Sequence, residues 1–243
     1  MMSISYEINS IDVEIKKDCP VCKTRNIKKI SDVSLDKGNY NLPFFETSFC
    51  EACQHIYRSK RPDEKWFFKK FEERRIYQTK NNFNPINQKV EDHRYQRYGE
   101  LMKFLKINFN KLIKDDGIVY DFGCGTGTGM KAIEEYGLRA IGVEPDLTRA
   151  IYGINKGLEI ITSPWSDINK ELKNASFVFS IHSLEHFYNP EEFINHVNKN
   201  TNDDCYLYLE VPNSSYENDW TDSFYLSHLN NFSKCSIIKM LKN

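Results

Sequence analysis

One segment constrains the fold of this 243-residue chain more than any other: a short apolar strand that ends in Asp121 and is followed by Gly123, Gly125 and Gly127. Because glycine has no Cβ atom, such a turn lets the bare backbone approach a ligand closely at the carboxyl edge of a parallel sheet. The phosphate-binding fingerprint G-x-G-x-x-G fails, since threonine or methionine stands where its last glycine would be, and no Walker lysine follows. The segment therefore predicts a nucleotide-type site of a different kind.

The residues after Gly117 alternate between short apolar strands and amphipathic helices. Strands are predicted at 118–120, 140–143, 158–161, 177–179 and 206–211. Helices are predicted at 130–136, 147–155 and 191–197. This alternation predicts an α/β fold with a doubly wound, mostly parallel, Rossmann-like sheet.

An acid ends the second predicted strand. Glu144 follows Gly123 by 21 residues, where its carboxylate can accept hydrogen bonds from both hydroxyls of a ribose. The pattern D-x-G-x-G-x-G followed by this acid resembles the class I S-adenosylmethionine-dependent methyltransferases, from about Tyr95 to the C-terminus. The resemblance implies that Asp121 and the glycine loop, residues 123–127, hold the methionine and ribose parts of S-adenosylmethionine, with Glu144 on the ribose hydroxyls.

The same resemblance assigns further residues to the cofactor site. Pro145 and Ser163, after the second and third strands, would border the adenine, and Ser180 at the end of the fourth strand would complete the site. Many relatives carry an aspartate near the position of Ser163. Their cores usually end with a sixth strand and an antiparallel seventh, whereas this sequence ends in a predicted helix after Ser233. We therefore expect either a shortened sheet or a truncated product.

The methyl acceptor is expected at the end of the fourth strand, where His182 and His186 follow. The Asn/Asp-Pro-Pro-aromatic motif of adenine and glutamine N-methylation is absent there, which disfavours those acceptors. Tyr225 and His228 are similar to the Tyr-x-x-His pair of small-molecule methyltransferases, including sugar C-methyltransferases, but Ser227 replaces the glutamate of the latter. O- and N-methylation both stay open. His228, oriented by Tyr225, is the first candidate base and His182 the second, although either histidine could have a structural role only.

Two C-x-x-C pairs, Cys19 with Cys22 and Cys50 with Cys53, are separated by 27 residues. Each pair forms a tight knuckle that aims two thiolates at one ion, and two knuckles complete a tetrahedral zinc site. His55 could replace a cysteine, but four thiolates already close the coordination shell. A redox role would need a thioredoxin-like βαβ setting, which is absent. The pairs predict a structural zinc site.

The sequence divides into a zinc-binding module (1–75), a linker with a helical lead-in (76–116) and a methyltransferase core (117–243). Residues 1–116 carry 23 Lys and Arg against 17 Asp and Glu, a net charge of +6, whereas the remainder carries 10 against 17, a net charge of −7. An acidic half disfavours nucleic acid there. The basic half leaves an RNA methyltransferase open as an alternative. The missing last strands leave a second alternative open, a protein that binds the cofactor but has no activity.

A cysteine-rich module and a segment like Arg61-Pro62-Asp63-Glu64 before such a core also occur in bacterial enzymes of surface-polysaccharide and sugar biosynthesis. This looser resemblance implies a small polar acceptor, a sugar or a sugar nucleotide. Seven cysteines are too many by one for complete pairing, and no apolar run approaches the length of a membrane helix. We therefore expect a cytoplasmic enzyme without a membrane span.

Overall fold

The computed structural model describes residues 13–31, 46–66, 86–110, 113, 117–214 and 228–242. These residues divide into two compact units. The first unit contains the described residues before Glu72 and after Val211, and the second contains those from Glu72 to Val211. Among the helices of these residues, none is both long enough and apolar enough to cross a membrane.

The regular elements are numbered in chain order. The strands are β1 (Val13–Ile15), β2 (Ile27–Ser31), β3 (Glu46–Cys50), β4 (Ile56–Pro62), β5 (Ile118–Phe122), β6 (Arg139–Val143), β7 (Ile160–Ile161), β8 (Ala175–Ile181), β9 (Tyr206–Glu210) and β10 (Asn230–Asn231). The α-helices with described bounds are α1 (Gln88–Asn108), α2 (Thr128–Glu134), α3 (Leu147–Ile154), α4 (Pro190–Asn200) and α5 (Lys234–Leu241). Short 3-10 helices lie at Trp165–Asp167, Lys170–Asn174 and Leu184–His186.

The second unit is built around a parallel sheet with the strand order β7-β6-β5-β8-β9. On central β5, Val119 pairs with Ala140 of β6 and with Phe177 of β8. The chain runs outwards from β5 to β7 and then returns to β8 and β9, a reversal that places the crossover helices on both faces. The predicted α/β class and doubly wound parallel sheet are confirmed. Each of the five predicted strands forms.

Apolar side chains fix the position of β5 in this unit. Helix α1 begins after Asn87, whose side chain accepts the backbone N–H of Lys89. Its buried apolar residues recur at the spacing of one helix face: Tyr98, Leu101, Met102 and Leu105. They belong to the same core cluster as Val119 on β5. Phe122, the last residue of β5, packs edge-on against Phe193 of α4, with ring centroids 5.2 Å apart.

The first unit contains an antiparallel sheet with the order β1-β4-β3-β2, in which β10 also pairs with β4. Asn230 lies opposite Tyr57, and Asn231 lies opposite Ile56. The described C-terminal segment therefore groups with the N-terminal strands, because the backbone hydrogen bonds of β10 go to β4. These units differ from the boundaries 1–75, 76–116 and 117–243 expected from the sequence.

Candidate functional site

The glycine loop leaves the carboxyl end of β5 in a conformation that favours glycine. The φ angles of Gly123, Gly125 and Gly127 are +82°, +61° and +73°, values in the left-handed region that side chains with a Cβ atom rarely adopt. Space is also restricted, since a Cβ atom on Gly123 would lie 2.0 Å from the Oγ atom of Ser183. One on Gly127 would lie 2.7 Å from Cδ1 of Leu158. The loop consequently presents bare backbone at this sheet edge.

Glu144, directly after β6, is tied to the glycine loop. Its Oε2 atom accepts the backbone N–H of Gly125 at 2.9 Å, and its Oε1 atom accepts that of Asp146 at 2.8 Å. The side chain is buried, and this burial raises its pKa above the ordinary value for glutamate. Each carboxylate oxygen can accept more than one hydrogen bond. The geometry therefore leaves Glu144 able to accept hydroxyl donors, and its role on a ribose stays a prediction.

Asp121 lies on β5 beneath the loop and is 1% exposed. Its two carboxylate oxygens accept hydrogen bonds from the Tyr98 hydroxyl, at 3.0 and 2.9 Å. Burial raises the pKa of Asp121 to about 7, and the bond from Tyr98 opposes that rise. The acid is thus held by a side chain of α1.

Two more α1 residues reach the glycine loop, and sequence reasoning missed both. Glu91, which is buried, accepts a hydrogen bond from the Thr126 hydroxyl at 2.5 Å. Arg94 donates to Glu91 at 3.0 Å, and its Nη1 atom lies 3.4 Å from where a Cβ atom on Gly125 would be. Together with Tyr98 these residues have the spacing i, i+3, i+7, which places them on one helix face. That spacing was the signal available in the sequence.

The residues expected near the adenine and at the end of β8 have different surroundings. Pro145 is exposed and Ser163 is half-buried, its hydroxyl donating to the Pro164 carbonyl at 3.3 Å. Trp165 stacks with Phe187 at a centroid distance of 6.1 Å. Ser180 is fully buried, and within the described residues its hydroxyl has no hydrogen-bond partner. Their assignment to a cofactor stays a prediction.

His182 follows β8 and lies between two carboxylates of the second unit. Its Nε2 atom is 3.2 Å from Oε1 of Glu210, and its Nδ1 atom is 3.8 Å from Oε1 of Glu185. Its hydrogen bond to Glu210 lowers the pKa of that carboxyl group, whereas burial raises the pKa of Glu185. The imidazole side chain is 39% exposed. An accessible imidazole with a fixed acidic partner can act as a base and take a proton from a bound substrate.

The second predicted pair of acceptor-site residues lies in a different part of the chain. Tyr225 is outside the described residues. His228 belongs to the first unit and is half-buried. The next residue, Leu229, accepts the backbone N–H of Arg58 through its carbonyl group at 3.0 Å. The roles of Tyr225 and His228 towards a methyl acceptor stay predictions.

The four predicted zinc ligands lie together in the first unit and form a cysteine cluster: Cys19, Cys22, Cys50 and Cys53. Their sulfur atoms all lie within 4.8 Å of one another, with Cys19 and Cys53 at 3.6 Å and Cys22 and Cys50 at 3.5 Å. A zinc–sulfur bond of about 2.3 Å requires sulfur atoms about 3.8 Å apart in a regular tetrahedron. The cluster therefore matches the size of a four-thiolate site. His55 is not part of the cluster, and its Nε2 atom lies 3.4 Å from Oδ1 of Asn230.

The two C-x-x-C segments have the same backbone geometry. The N–H of Lys23 donates to the Cys19 carbonyl at 2.9 Å, and the N–H of Gln54 donates to the Cys50 carbonyl at 2.8 Å. Lys23 and Gln54 also share a positive φ angle, +60° and +59°. The repetition indicates two equivalent knuckles, each turning its chain so that two sulfur atoms point to one place.

Hydrogen bonding and burial shift the thiol pKa values within the cysteine cluster. A hydrogen bond from Cys53 lowers the pKa of Cys19 to about 5, and the same bond raises the pKa of Cys53. Burial raises the pKa of Cys50 to about 11. Buried sulfur atoms that compete for protons in this way are a suitable donor set for a cation, which replaces the protons.

Comparisons with known proteins agree with the geometry of the second unit. A family model described as a methyltransferase domain matches residues 92–243. The chain is also similar to the solved structure of an S-adenosylmethionine-dependent methyltransferase from Archaeoglobus fulgidus, with 21% identity and a TM-score of 0.50, over 59% of this chain and 67% of that one. No curated protein sequence matches the chain.

Two further solved structures have the same fold. The YcgJ protein from Bacillus subtilis is 16% identical, with a TM-score of 0.50, over 60% of this chain and 67% of that one. A chain from the Haloferax volcanii complex of the Trm112 methyltransferase activator is 12% identical, with a TM-score of 0.53, over 64% and 71% of the respective chains. At these identities the likeness is one of fold.

Proposed function

Because this chain belongs to the methyltransferase domain family, we propose that it transfers a methyl group from S-adenosylmethionine to a small polar acceptor, a sugar or a sugar nucleotide. The family supplies the reaction class and the cofactor. The acceptor is inferred from the carboxyl edge of β8, where an accessible imidazole suits a hydroxyl group that gives up its proton on methylation. The single observation that carries the proposal is that the glycine loop, Glu144 and His182 follow neighbouring strands of one parallel sheet.

The residues of this edge fit S-adenosylmethionine on three counts. The glycine loop leaves no room for a Cβ atom at Gly123 and Gly127, which suits close approach of a ligand to the backbone. Glu144 is fixed by two backbone N–H groups and can still accept ribose hydroxyls. Ser180 has a buried hydroxyl that has no partner among the described residues. We further assign Arg94 to the carboxylate of the methionine part, because its guanidinium borders the loop at Gly125.

The chain's own residues would bind the cofactor, orient the acceptor and remove a proton from the acceptor. When bound, S-adenosylmethionine supplies a methyl group on a positively charged sulfonium. Asp121 and Glu144 would hold the cofactor, with Pro145 and Ser163 beside the adenine. Since a sugar hydroxyl has a pKa far above 7, its attack is helped by a group that takes its proton. His182 and His228 are the candidates for that base, and Tyr225 is the candidate for orienting His228 or the acceptor.

The structure weakens the RNA alternative. That alternative depends on a basic surface in the N-terminal half, where phosphate groups would meet clustered Lys and Arg side chains. Two of the arginines that contribute to the charge of +6, Arg58 and Arg61, are 0% and 2% exposed. Arg58 donates to Thr47 at 2.6 Å, and Arg61 donates to Glu14 at 3.2 Å. These two arginines are therefore buried within the first unit and do not contribute to a basic surface.

For the cysteine cluster we propose one structural zinc ion. The sulfur distances and the repeated knuckle geometry support four thiolate ligands, which leave no open coordination position for catalysis. Reduced thiols persist in a reducing compartment, so we place the protein in the cytoplasm. Zinc would hold together the two segments of the first unit that carry the C-x-x-C pairs.

The test combines cofactor binding with methyl transfer. Calorimetry with S-adenosylhomocysteine measures binding, and S-adenosylmethionine with a labelled methyl group is then offered to pooled nucleotide sugars and, separately, to total RNA. We expect binding and labelled nucleotide sugars. Label in RNA would instead support the RNA methyltransferase, and binding without transfer to either pool would support a cofactor-binding protein without activity. Absence of binding would contradict the cofactor assignment itself.

A further inference from the structure

Glu210 holds His182 through both its main chain and its side chain. The backbone N–H of His182 donates to the Glu210 carbonyl at 2.8 Å, and the imidazole Nε2 atom lies 3.2 Å from the Glu210 carboxylate. His182 has a φ angle of +51°, a left-handed conformation that is uncommon for residues with a Cβ atom. Such conformations persist where the surroundings enforce them, and they concentrate at functional sites. The two bonds to Glu210 supply that enforcement.

The carboxylate of Glu210 is itself fixed by other residues. The Tyr208 hydroxyl donates to its Oε2 atom at 3.0 Å, and the guanidinium of Arg97 lies 3.7 Å from its Oε1 atom. These partners favour the ionised carboxylate. An ionised carboxylate accepts hydrogen bonds only, so the imidazole nitrogen that faces it must carry the proton. In neutral His182 the Nε2 atom is therefore the protonated nitrogen.

This tautomer leaves the lone pair on the Nδ1 atom of His182. The nearest acid on that side is Glu185, whose Oε1 atom is 3.8 Å away, beyond hydrogen-bond distance. Glu185 is 2% exposed, and its other oxygen has no hydrogen-bond partner within the described part of the chain. The Nδ1 lone pair is consequently available, and the imidazolium formed by taking a proton there would lie between two carboxylates.

The segment that carries His182 lies close to the glycine loop. Ser183 follows His182 directly, and its Oγ atom is 2.0 Å from the place where a Cβ atom on Gly123 would be. The segment after β8 therefore packs against the first glycine of the loop. His182, Glu185, Glu210 and the loop all belong to the second unit.

We infer that His182 is the general base of the methyl transfer, that its Nδ1 atom takes the proton, and that Glu210 is the positioning residue that fixes its tautomer. The inference rests on the proposed function. As the bond between sulfur and methyl breaks and the bond between methyl and acceptor oxygen forms, the oxygen gives its proton to Nδ1 and the sulfonium becomes a neutral thioether. The resulting imidazolium is stabilised by Glu210 and Glu185, as a carboxylate stabilises the histidine of a catalytic triad.

The decisive experiment reads the tautomer directly and needs no acceptor. Protein labelled with ¹⁵N-histidine is studied by long-range ¹H–¹⁵N correlation spectroscopy, and the His182 signals are assigned by their loss in His182→Gln. We expect neutral His182 to be protonated on Nε2 in the wild type and in Glu210→Gln, whose amide oxygen still accepts the bond. In Glu210→Leu we expect a mixture of both tautomers. Glu192→Gln, an exposed change on α4, is the matched control and should leave the signals unchanged.

A proton on Nδ1 in the wild type overturns the inference, and so does a pure Nε2 tautomer in Glu210→Leu. The wild-type spectrum alone decides the first point, so a variant that fails to fold does not remove the test. A second measurement follows labelled methyl transfer to pooled nucleotide sugars, where Glu210→Gln should lower turnover about tenfold or more while S-adenosylhomocysteine affinity stays within about twofold. Lack of transfer by the wild type would contradict the proposed acceptor, whereas the tautomer result stands independently of it.

Discussion

The hydroxyl group of Tyr98 donates to both carboxylate oxygens of Asp121, at 3.0 and 2.9 Å. Tyr98 lies on α1, and Asp121 lies on β5 just before the glycine loop. Burial raises the pKa of Asp121 to about 7, and the Tyr98 bond acts against that rise. A residue 23 positions away in sequence therefore helps to keep a buried acid ionised beside the expected cofactor.

We expect Tyr98→Phe to destabilise the protein and to weaken its binding of S-adenosylhomocysteine. The change leaves a buried carboxylate without its donor, which costs about 1–3 kcal/mol in the free energy of unfolding. Urea unfolding and calorimetry measure the two effects. Tyr95→Phe is the matched control, since Tyr95 is 38% exposed and bonds to Glu135 at the surface. Equal losses in the two variants would contradict a special role for Tyr98.

The raised pKa of Asp121 predicts a pH dependence of stability. Because the folded-state pKa is about 7 and the ordinary value is 3.8, the folded protein binds more protons here than the unfolded chain between these values. The free energy of unfolding therefore falls as pH rises through this window, by at most about 1.4 kcal/mol per pH unit. Asp121→Asn removes this contribution. Urea unfolding at several pH values should show that the variant gains stability relative to the wild type as pH rises. A difference in the free energy of unfolding that does not change with pH would contradict the prediction.

The sequence was sufficient to predict the parts of the site that are determined locally. Asp121 and the three glycines could be identified because their turn needs positive φ angles that glycine adopts most readily. The doubly wound parallel sheet followed from the alternation of strands and helices, since right-handed crossovers leave few topologies. The two C-x-x-C pairs could be grouped because each knuckle is encoded within a few residues.

Residues that reach the site from distant elements could not be predicted in the same way. Arg94 and Tyr98 share a helix face, but the sequence does not tell which loop that face will meet. Glu210 reaches His182 only because β9 lies beside β8 in the sheet. The pairing of β10 with β4 was also missed, since Asn230 and Asn231 have neither the apolar alternation nor the β-branched side chains that indicate a strand.

The glycine loop allows a test that separates backbone strain from lack of space. Gly123 and Gly137 have nearly equal φ angles, +82° and +81°, but a Cβ atom would meet Ser183 at the first and nothing within 4 Å at the second. We expect Gly137→Ala to cost only the strain of a left-handed residue, about 1–2 kcal/mol. Gly123→Ala should cost clearly more and should abolish binding of S-adenosylhomocysteine, as measured by urea unfolding and calorimetry. Similar losses in both variants would refute the close approach to Ser183.

Glu144→Ala tests the predicted ribose contact. If the carboxylate accepts both ribose hydroxyls, the variant loses two charge-assisted hydrogen bonds of about 1.5–3 kcal/mol each, and S-adenosylhomocysteine should bind at least about tenfold more weakly in calorimetry. The control is Glu159→Ala, which removes an exposed carboxylate paired with Arg139 at 2.8 Å, and which should leave the affinity unchanged. Unchanged affinity in Glu144→Ala, or tighter binding of NAD than of S-adenosylhomocysteine, would contradict the assignment.

The cysteine cluster predicts one zinc ion per chain in protein purified without chelator. Metal analysis should find zinc in the wild type and in Cys235→Ser, whose thiol is exposed and outside the cluster, but less than half as much in Cys50→Ser. Because binding energy at such sites contributes directly to folding, chelation should lower the melting temperature of the wild type to that of Cys50→Ser. Zinc-free wild-type protein that melts at the same temperature with and without added zinc would show that the four sulfur atoms do not form a metal site.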